Sequence, residues 1–96
     1  MQTITINKIT EGELCSISYR SDEVLIDIDL VQERWRELNR AATLGNVHKI
    51  KSIIQFESEE GELFELSTSV WSVTAKYVIL KKGMLIPIHS IHRVIT

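Results

Sequence analysis

One run of helical spacing interrupts a chain whose other apolar residues alternate in twos, and that contrast restricts the fold more than any single motif. Val31, Trp35, Leu38 and Ala42 recur at intervals of four, three and four, which places them on one stripe of an α-helix. Asp29 stands where a carboxylate can accept from the free amides of a first turn, Gln32 follows three positions on, and Gly45-Asn46 offers a left-handed stop. Glu33 with Arg36 and Glu37 with Arg40 pair along the solvated side. These signals predict one helix over residues 30–44.

The rest of the chain reads as strands. Ile4 and Ile6, then Cys15, Ile17 and Tyr19, then Val24, Ile26 and Ile28 each alternate with intervening residues, with breaks at Glu11-Gly12 and Ser21-Asp22. This predicts a three-stranded meander before the helix. After it, Ile50, Ile54 and Phe56 share one face of a strand, with Lys49, Lys51 and Gln55 on the other. Glu57-Ser58-Glu59-Glu60-Gly61 turns the chain, and Leu63-Phe64-Glu65-Leu66 returns. Val73, Ala75, Tyr77 and Ile79 alternate through one further strand, Lys81-Lys82-Gly83 turns, and Met84, Ile86 and Ile88 follow. Pro87 cannot donate to a ladder, so that strand lies at an edge or ends there. Ile88, Ile91 and Val94 recur every three residues, a spacing that suits a tight helical turn leading into a last strand.

The expected fold class is therefore α+β: a small curved antiparallel sheet, or a partly open barrel of the Sm or SH3 type, with one helix over an end. Ninety-six residues without a linker or repeat make one domain, residues 1–96, and a chain of this size buries roughly 65% of its unfolded surface. Hydrophobic residues at 44% and charged residues at 25% suit a packed core rather than disorder. Cys15 is the single cysteine, so no intrachain disulfide forms, and its neighbours Leu14 and Ile17 suggest a packing thiol. With no basic start leading into an apolar run and no apolar stretch of membrane-spanning length, a cytoplasmic protein without membrane contact is expected.

Charge is unevenly distributed. Before Leu30 stand Glu11, Glu13, Asp22, Glu23, Asp27 and Asp29 against Lys8 and Arg20. From Leu66 onward there is no acid, while Lys76, Lys81, Lys82 and Arg93 are positive and His89 and His92 titrate near neutrality. Such asymmetry serves a partner or is satisfied internally. Trp71 and Tyr77 among these cations suggest a surface that stacks bases and neutralises phosphates. An isoelectric point of about 5.9 argues against strong nonspecific nucleic-acid binding, which depends on clustered cations.

The catalytic and metal constellations are thin. His89 and His92 lie three apart and could share an ion, but zinc needs three or four ligands and the other candidates are His48 and Cys15. Asp27 and Asp29 share one face of the third expected strand without a partner to separate their pKa values. Ser67, Ser69 and Ser72 lack a glycine elbow, and no glycine loop cradles a phosphate. No cofactor, metal or catalytic residue is expected.

Leu25-Ile26-Asp27-Ile28, the helix to Leu44, Phe56 through Glu62, Lys76-Tyr77-Val78-Ile79 and Ile86-Pro87-Ile88-His89-Ser90-Ile91 follow one another in an order that resembles the Rof-type family of Rho-binding antiterminators. The resemblance covers about three-quarters of the chain and leaves out its first 23 residues. It departs from the family at Ile28, where members carry cysteine, and at His89, where they carry aspartate. Members are acidic where they meet their partner, whereas this C-terminal half is basic. The resemblance implies a small β-barrel and a protein partner.

These readings lead to a non-enzymatic regulatory or interaction module that binds a protein or RNA through its basic C-terminal half. Its candidate contacts are Trp71, Lys76, Lys81, Lys82, His89, His92 and Arg93. Two alternatives stand beside it. One is a homo-oligomer whose acidic N-terminal strands meet the basic half of the next copy; the other is a metal protein or enzyme using His89 and His92.

Overall fold

A computed structural model describes residues 5–96. Its one α-helix, α1, runs Ile28–Val47, starting and ending beyond the expected span. Asp27 rather than Asp29 is the cap: its backbone is extended, and its carboxylate accepts from the Asp29 amide at 2.8 Å. Asp29 lies in the first turn, so the two acids do not share a strand face. Gly45 and Asn46 do not stop the helix. The chain turns at Lys49, whose φ is 57°, and the Leu44 carbonyl accepts from both the His48 and Ile50 amides.

Gly45 has a packing role instead. A Cβ there would stand 2.2 Å from the Val70 carbonyl oxygen and 3.0 Å from the Val70 amide nitrogen, so the helix lies directly against the backbone of the strand Val70–Val73. This contact fixes the roll of α1. Its buried residues are Arg34, Leu38, Ala41 and Gly45, so only Leu38 of the expected stripe is fully inside, and Trp35 is 43% exposed. Counting apolar residues missed the phase because the buried face contains an arginine and a glycine.

Strand β1, Ile6–Ile9, pairs in parallel with β3, Leu63–Thr68. β3 forms an antiparallel hairpin with β2, Ser52–Glu57, and β2 pairs on its other side with β7, Ile91–Ile95, giving the order β1-β3-β2-β7. The strand Val70–Val73 is β4; with β5, Tyr77–Leu80, and β6, Leu85–Pro87, it forms a second, antiparallel sheet. The class is α+β, and the two sheets do not close into a barrel.

The expected meander does not form. The part of the first strand before residue 5 lies outside the described residues, and Ile6–Ile9 finds a partner far along the chain. A 3₁₀ segment at Glu11–Ser16 follows, opened by the Thr10 amide donating to the Glu13 carboxylate at 3.1 Å. Residues 17–27 then run without regular pairing apart from one bridge between Tyr19 and Ser58. Cys15 is exposed rather than packed. The strand expected from Val73 to Ile79 is two strands joined by a turn, because the Thr74 hydroxyl accepts from the Tyr77 amide at 2.9 Å and from the Lys76 amide at 3.3 Å. The inward residues of β5 are therefore Val78 and Leu80, the opposite parity to that expected.

The end of the chain follows its sequence signals. Gly61 turns the β2–β3 hairpin with φ of 87°, and Lys82 and Gly83 turn the β5–β6 hairpin with positive φ. β6 is an edge strand ending at Pro87. A 3₁₀ turn at Ile88–Ser90 feeds β7, and Ile88, Ile91 and Val94 are all buried. They join Leu38, Ile54, Phe56, Leu66, Val78 and Leu80 in a core between the sheets and α1.

Gly45→Ala should lose stability even though alanine favours a helix interior by about 1 kcal/mol over glycine. Overpacking against the Val70 backbone opposes that gain and costs about 1–3 kcal/mol or more, so the urea midpoint should fall. A rise would show that α1 does not rest on β4 at this point.

Candidate functional site

The structure does not gather the seven candidate residues on one surface. Trp71 sits at a bulge in β4, 46% exposed, and its carbonyl accepts from the Asn46 side chain at the end of α1. Lys81 and Lys82 are exposed in the turn between β5 and β6. Arg93 is exposed on β7 in the other sheet, opposite Gln55. Lys76 and His89 do meet, in a cleft of about 440 Å³ that Tyr77, Ile88, Arg34 and Glu23 also line. His92 and Arg93 line a separate cleft of about 270 Å³ with Glu33, Arg34 and Glu37.

His89 is engaged by the segment 17–27, and His92 by Glu57 of β2. The His89 ring Nε2 meets the Arg20 carbonyl at 2.6 Å, and the His89 carbonyl accepts from the Val24 amide. The His92 ring Nε2 lies 2.9 Å from Glu57, whose other oxygen receives the Arg20 guanidinium at 2.5 Å. The two rings thus serve different partners. Among the described residues, no group of three or more His, Cys, Asp and Glu side chains could hold a metal ion, and no helix is long and apolar enough to cross a membrane.

The residue that sequence reasoning missed is Arg34. It is 5% exposed, donates twice to Glu23 at 2.8 and 2.5 Å, and gives a third bond to the Ile91 carbonyl at 2.8 Å. One signal was available: Arg34 keeps helical phase with Leu38 and Ala41, so a charge stands on the buried side. Burial works to raise the Glu23 carboxyl, but the bond from Arg34, with that from the Leu25 amide, holds it below the ordinary value of 4.5. The His92 ring holds Glu57 below that value as well, with burial opposing and Arg20 assisting. Burial, aided by the nearby Cys15, raises the Tyr19 hydroxyl.

The early acids are therefore largely occupied inside the fold. Glu11 accepts from the Thr68 hydroxyl, Glu13 and Asp27 cap helical starts, and Glu23 holds Arg34. The lysines differ: among the described residues no carboxylate lies within ion-pair distance of Lys76, Lys81 or Lys82.

These lysines bracket a second feature absent from the sequence reading, the outer side of the β4–β5–β6 sheet. Because Val78, Leu80 and Ile86 point inward, Tyr77, Ile79, Leu85 and Pro87 point outward. They are cross-strand neighbours, Tyr77 opposite Pro87 and Ile79 opposite Leu85. Tyr77 is 42% and Leu85 47% exposed. Lys76 precedes this apolar strip at one end of β5, and Lys81 and Lys82 follow it at the other. The outer side of the other sheet, by contrast, carries Gln55 bonded to Glu65, with Arg93 beside them.

No protein-family model matches the chain, and no curated protein or solved structure does so, which leaves the functional reading to the geometry.

Two outcomes test the buried charges. Arg34→Ala should cost roughly 2–3 kcal/mol, less than the 3–5 typical of a fully buried pair because the Glu23 side chain is 39% exposed. Glu23 and Glu57 are depressed in the folded state, so the unfolded chain takes up their protons first as pH falls. Stability should hold above pH 4.5 and decline below it as pH passes through the folded values. Urea titrations of the wild type and of Glu57→Gln check this, the variant showing a shallower decline.

Proposed function

We propose that this chain is a non-enzymatic interaction module that binds a protein partner on the outer side of the β4–β5–β6 sheet. The observation that carries the reading is an open apolar strip, Tyr77, Ile79, Leu85 and Pro87, with uncompensated lysines at both ends. A matching partner supplies apolar side chains for the strip and carboxylates for Lys76, Lys81 and Lys82.

The make-up of the strip favours protein over RNA. Single-stranded nucleic acid is held by stacking on aromatic faces, and Tyr77 is the strip's one aromatic, since Trp71 belongs to the bulge beside α1. His89 acts in this reading by holding segment 17–27 in place, His92 by bonding the Glu57 carboxylate that Arg20 also meets, and Arg93 serves the other sheet. Acids with shifted pKa often mark catalysis. Here Glu23 and Glu57 each face an arginine that ties distant parts of the chain together, which supports a structural role. An exposed, unpaired Cys15 suits a reducing compartment such as the cytoplasm.

The test is capture from a lysate of the native cell on immobilised wild type, Leu85→Glu, and the double variant Lys81→Glu with Lys82→Glu. Both variants should reduce capture of the partner by about tenfold or more, the loss of one buried aliphatic side chain being worth 1.5–3 kcal/mol. Equal capture by all three proteins would overturn the reading. So would capture abolished by ribonuclease, which would make the ligand RNA.

A further inference from the structure

Four of the exposed large hydrophobic residues lie within ten positions of one another, around the start of α1: Ile26 is 99%, Ile28 65%, Leu30 48% and Trp35 43% exposed. Ile26 and Ile28, two positions apart, are the most exposed of these, and large apolar side chains left clustered in water mark contact surfaces. Asp27 and Asp29 alternate with the two isoleucines. One Asp27 oxygen is engaged as the cap, and among the described residues nothing bonds the Asp29 carboxylate. The start of α1 is thus a projecting tip with both apolar side chains and negative charge.

The tip is also held in shape. Glu23 is anchored on Arg34 and accepts from the Leu25 amide at 3.0 Å, and the Val24 amide is tied to His89. Leu25 is partly buried, lining the cleft between α1 and β7, while the next residue, Ile26, stands wholly in solvent. A tip ordered before contact loses little entropy on docking.

We infer that the protein partner of the β4–β5–β6 face is a second copy of this chain, whose Ile26–Asp29 tip seats its isoleucines on the apolar strip and its aspartates against the flanking lysines. The inference rests on the proposed function of that face and names its occupant. Complementarity carries it: the same molecule offers isoleucine with aspartate on one surface and apolar residues with lysine on another. Other acids of the chain do not fit as well. Glu59 and Glu60 lie in a hairpin turn with no large exposed hydrophobic residue beside them, and Glu11, Glu13, Glu23 and Glu57 are bonded internally. The contact joins unlike surfaces, so each copy presents both halves. This relocates the acidic half of the expected homo-oligomer from N-terminal strands to the start of a helix.

The experiment is light scattering of the purified chain over a range of concentration and salt, with Ile26→Asp as the tip variant and Leu85→Glu as the face variant. The wild type should exceed monomer mass, increasingly so at high concentration and less so at high salt. Each variant should weaken association by about tenfold or more. Mixed together, the two should form one-to-one dimers and nothing larger, because one retains only its face and the other only its tip. Asp29→Lys should reduce association, and adding Lys81→Glu with Lys82→Glu should restore it. Val47→Asp, at a separate exposed apolar residue near Lys49 and Lys51, should change nothing. A wild type that stays monomeric throughout overturns self-docking. If Leu85→Glu then still loses a different protein from the lysate, the binding face stands and only its occupant is wrong. Two variants that fail to complement each other in the mixture also overturn the inference.

Discussion

The buried guanidinium of Arg34 is the constraint on which much of this architecture depends. A charge taken out of water must be met by an opposite charge and by hydrogen-bond acceptors, and Arg34 meets both through Glu23 and the Ile91 carbonyl. Those contacts join three parts of the chain: the irregular segment before α1, the helix itself and the last strand. The close approach of Gly45 to Val70 sets the helix from its other end. Between these two points the roll of α1 is determined, and Trp35 is left half outside.

The same helix also protects an edge. β7 is the last strand of its sheet, and an unpaired strand edge invites association with other chains. Arg34 takes the Ile91 carbonyl and Glu37 accepts from the Val94 amide at 3.2 Å, so helix side chains use backbone groups that another strand would otherwise pair with. At the opposite sheet the edge strand β6 is three residues long and ends in proline. That sheet's outer face keeps Tyr77 and Leu85 exposed.

The charge asymmetry of the chain has two different fates. Its acidic part is mostly consumed in holding the fold, through caps, the Thr68 hydroxyl, Arg34, and Arg20 with His92 around Glu57. Its basic part is not consumed at Lys76, Lys81 and Lys82. Composition treats the two halves alike, yet among the described residues most of the acidic one is engaged inside the fold, Asp29 being left unbonded at the start of α1, while Lys76, Lys81 and Lys82 stay free of carboxylates.

What the amino-acid sequence determined by itself was local. The presence of a helix, the turns at Glu57–Gly61 and Lys81–Gly83, the ending of a strand at Pro87, and the tight turn between Ile88 and Val94 all follow from φ preferences, missing donors and spacing over a few residues. Tertiary structure alone decided which faces these elements bury. It set the parallel pairing of Ile6–Ile9 with Leu63–Leu66, the inward parity of Val78 and Leu80, and the burial of Arg34 while Ile26 stayed in water. Periodicity shows that a segment has two sides. Which side turns inward depends on groups far away in the chain, here the Glu23 carboxylate, the Val70 backbone and the edge of β7, whose free energies outweigh any local preference.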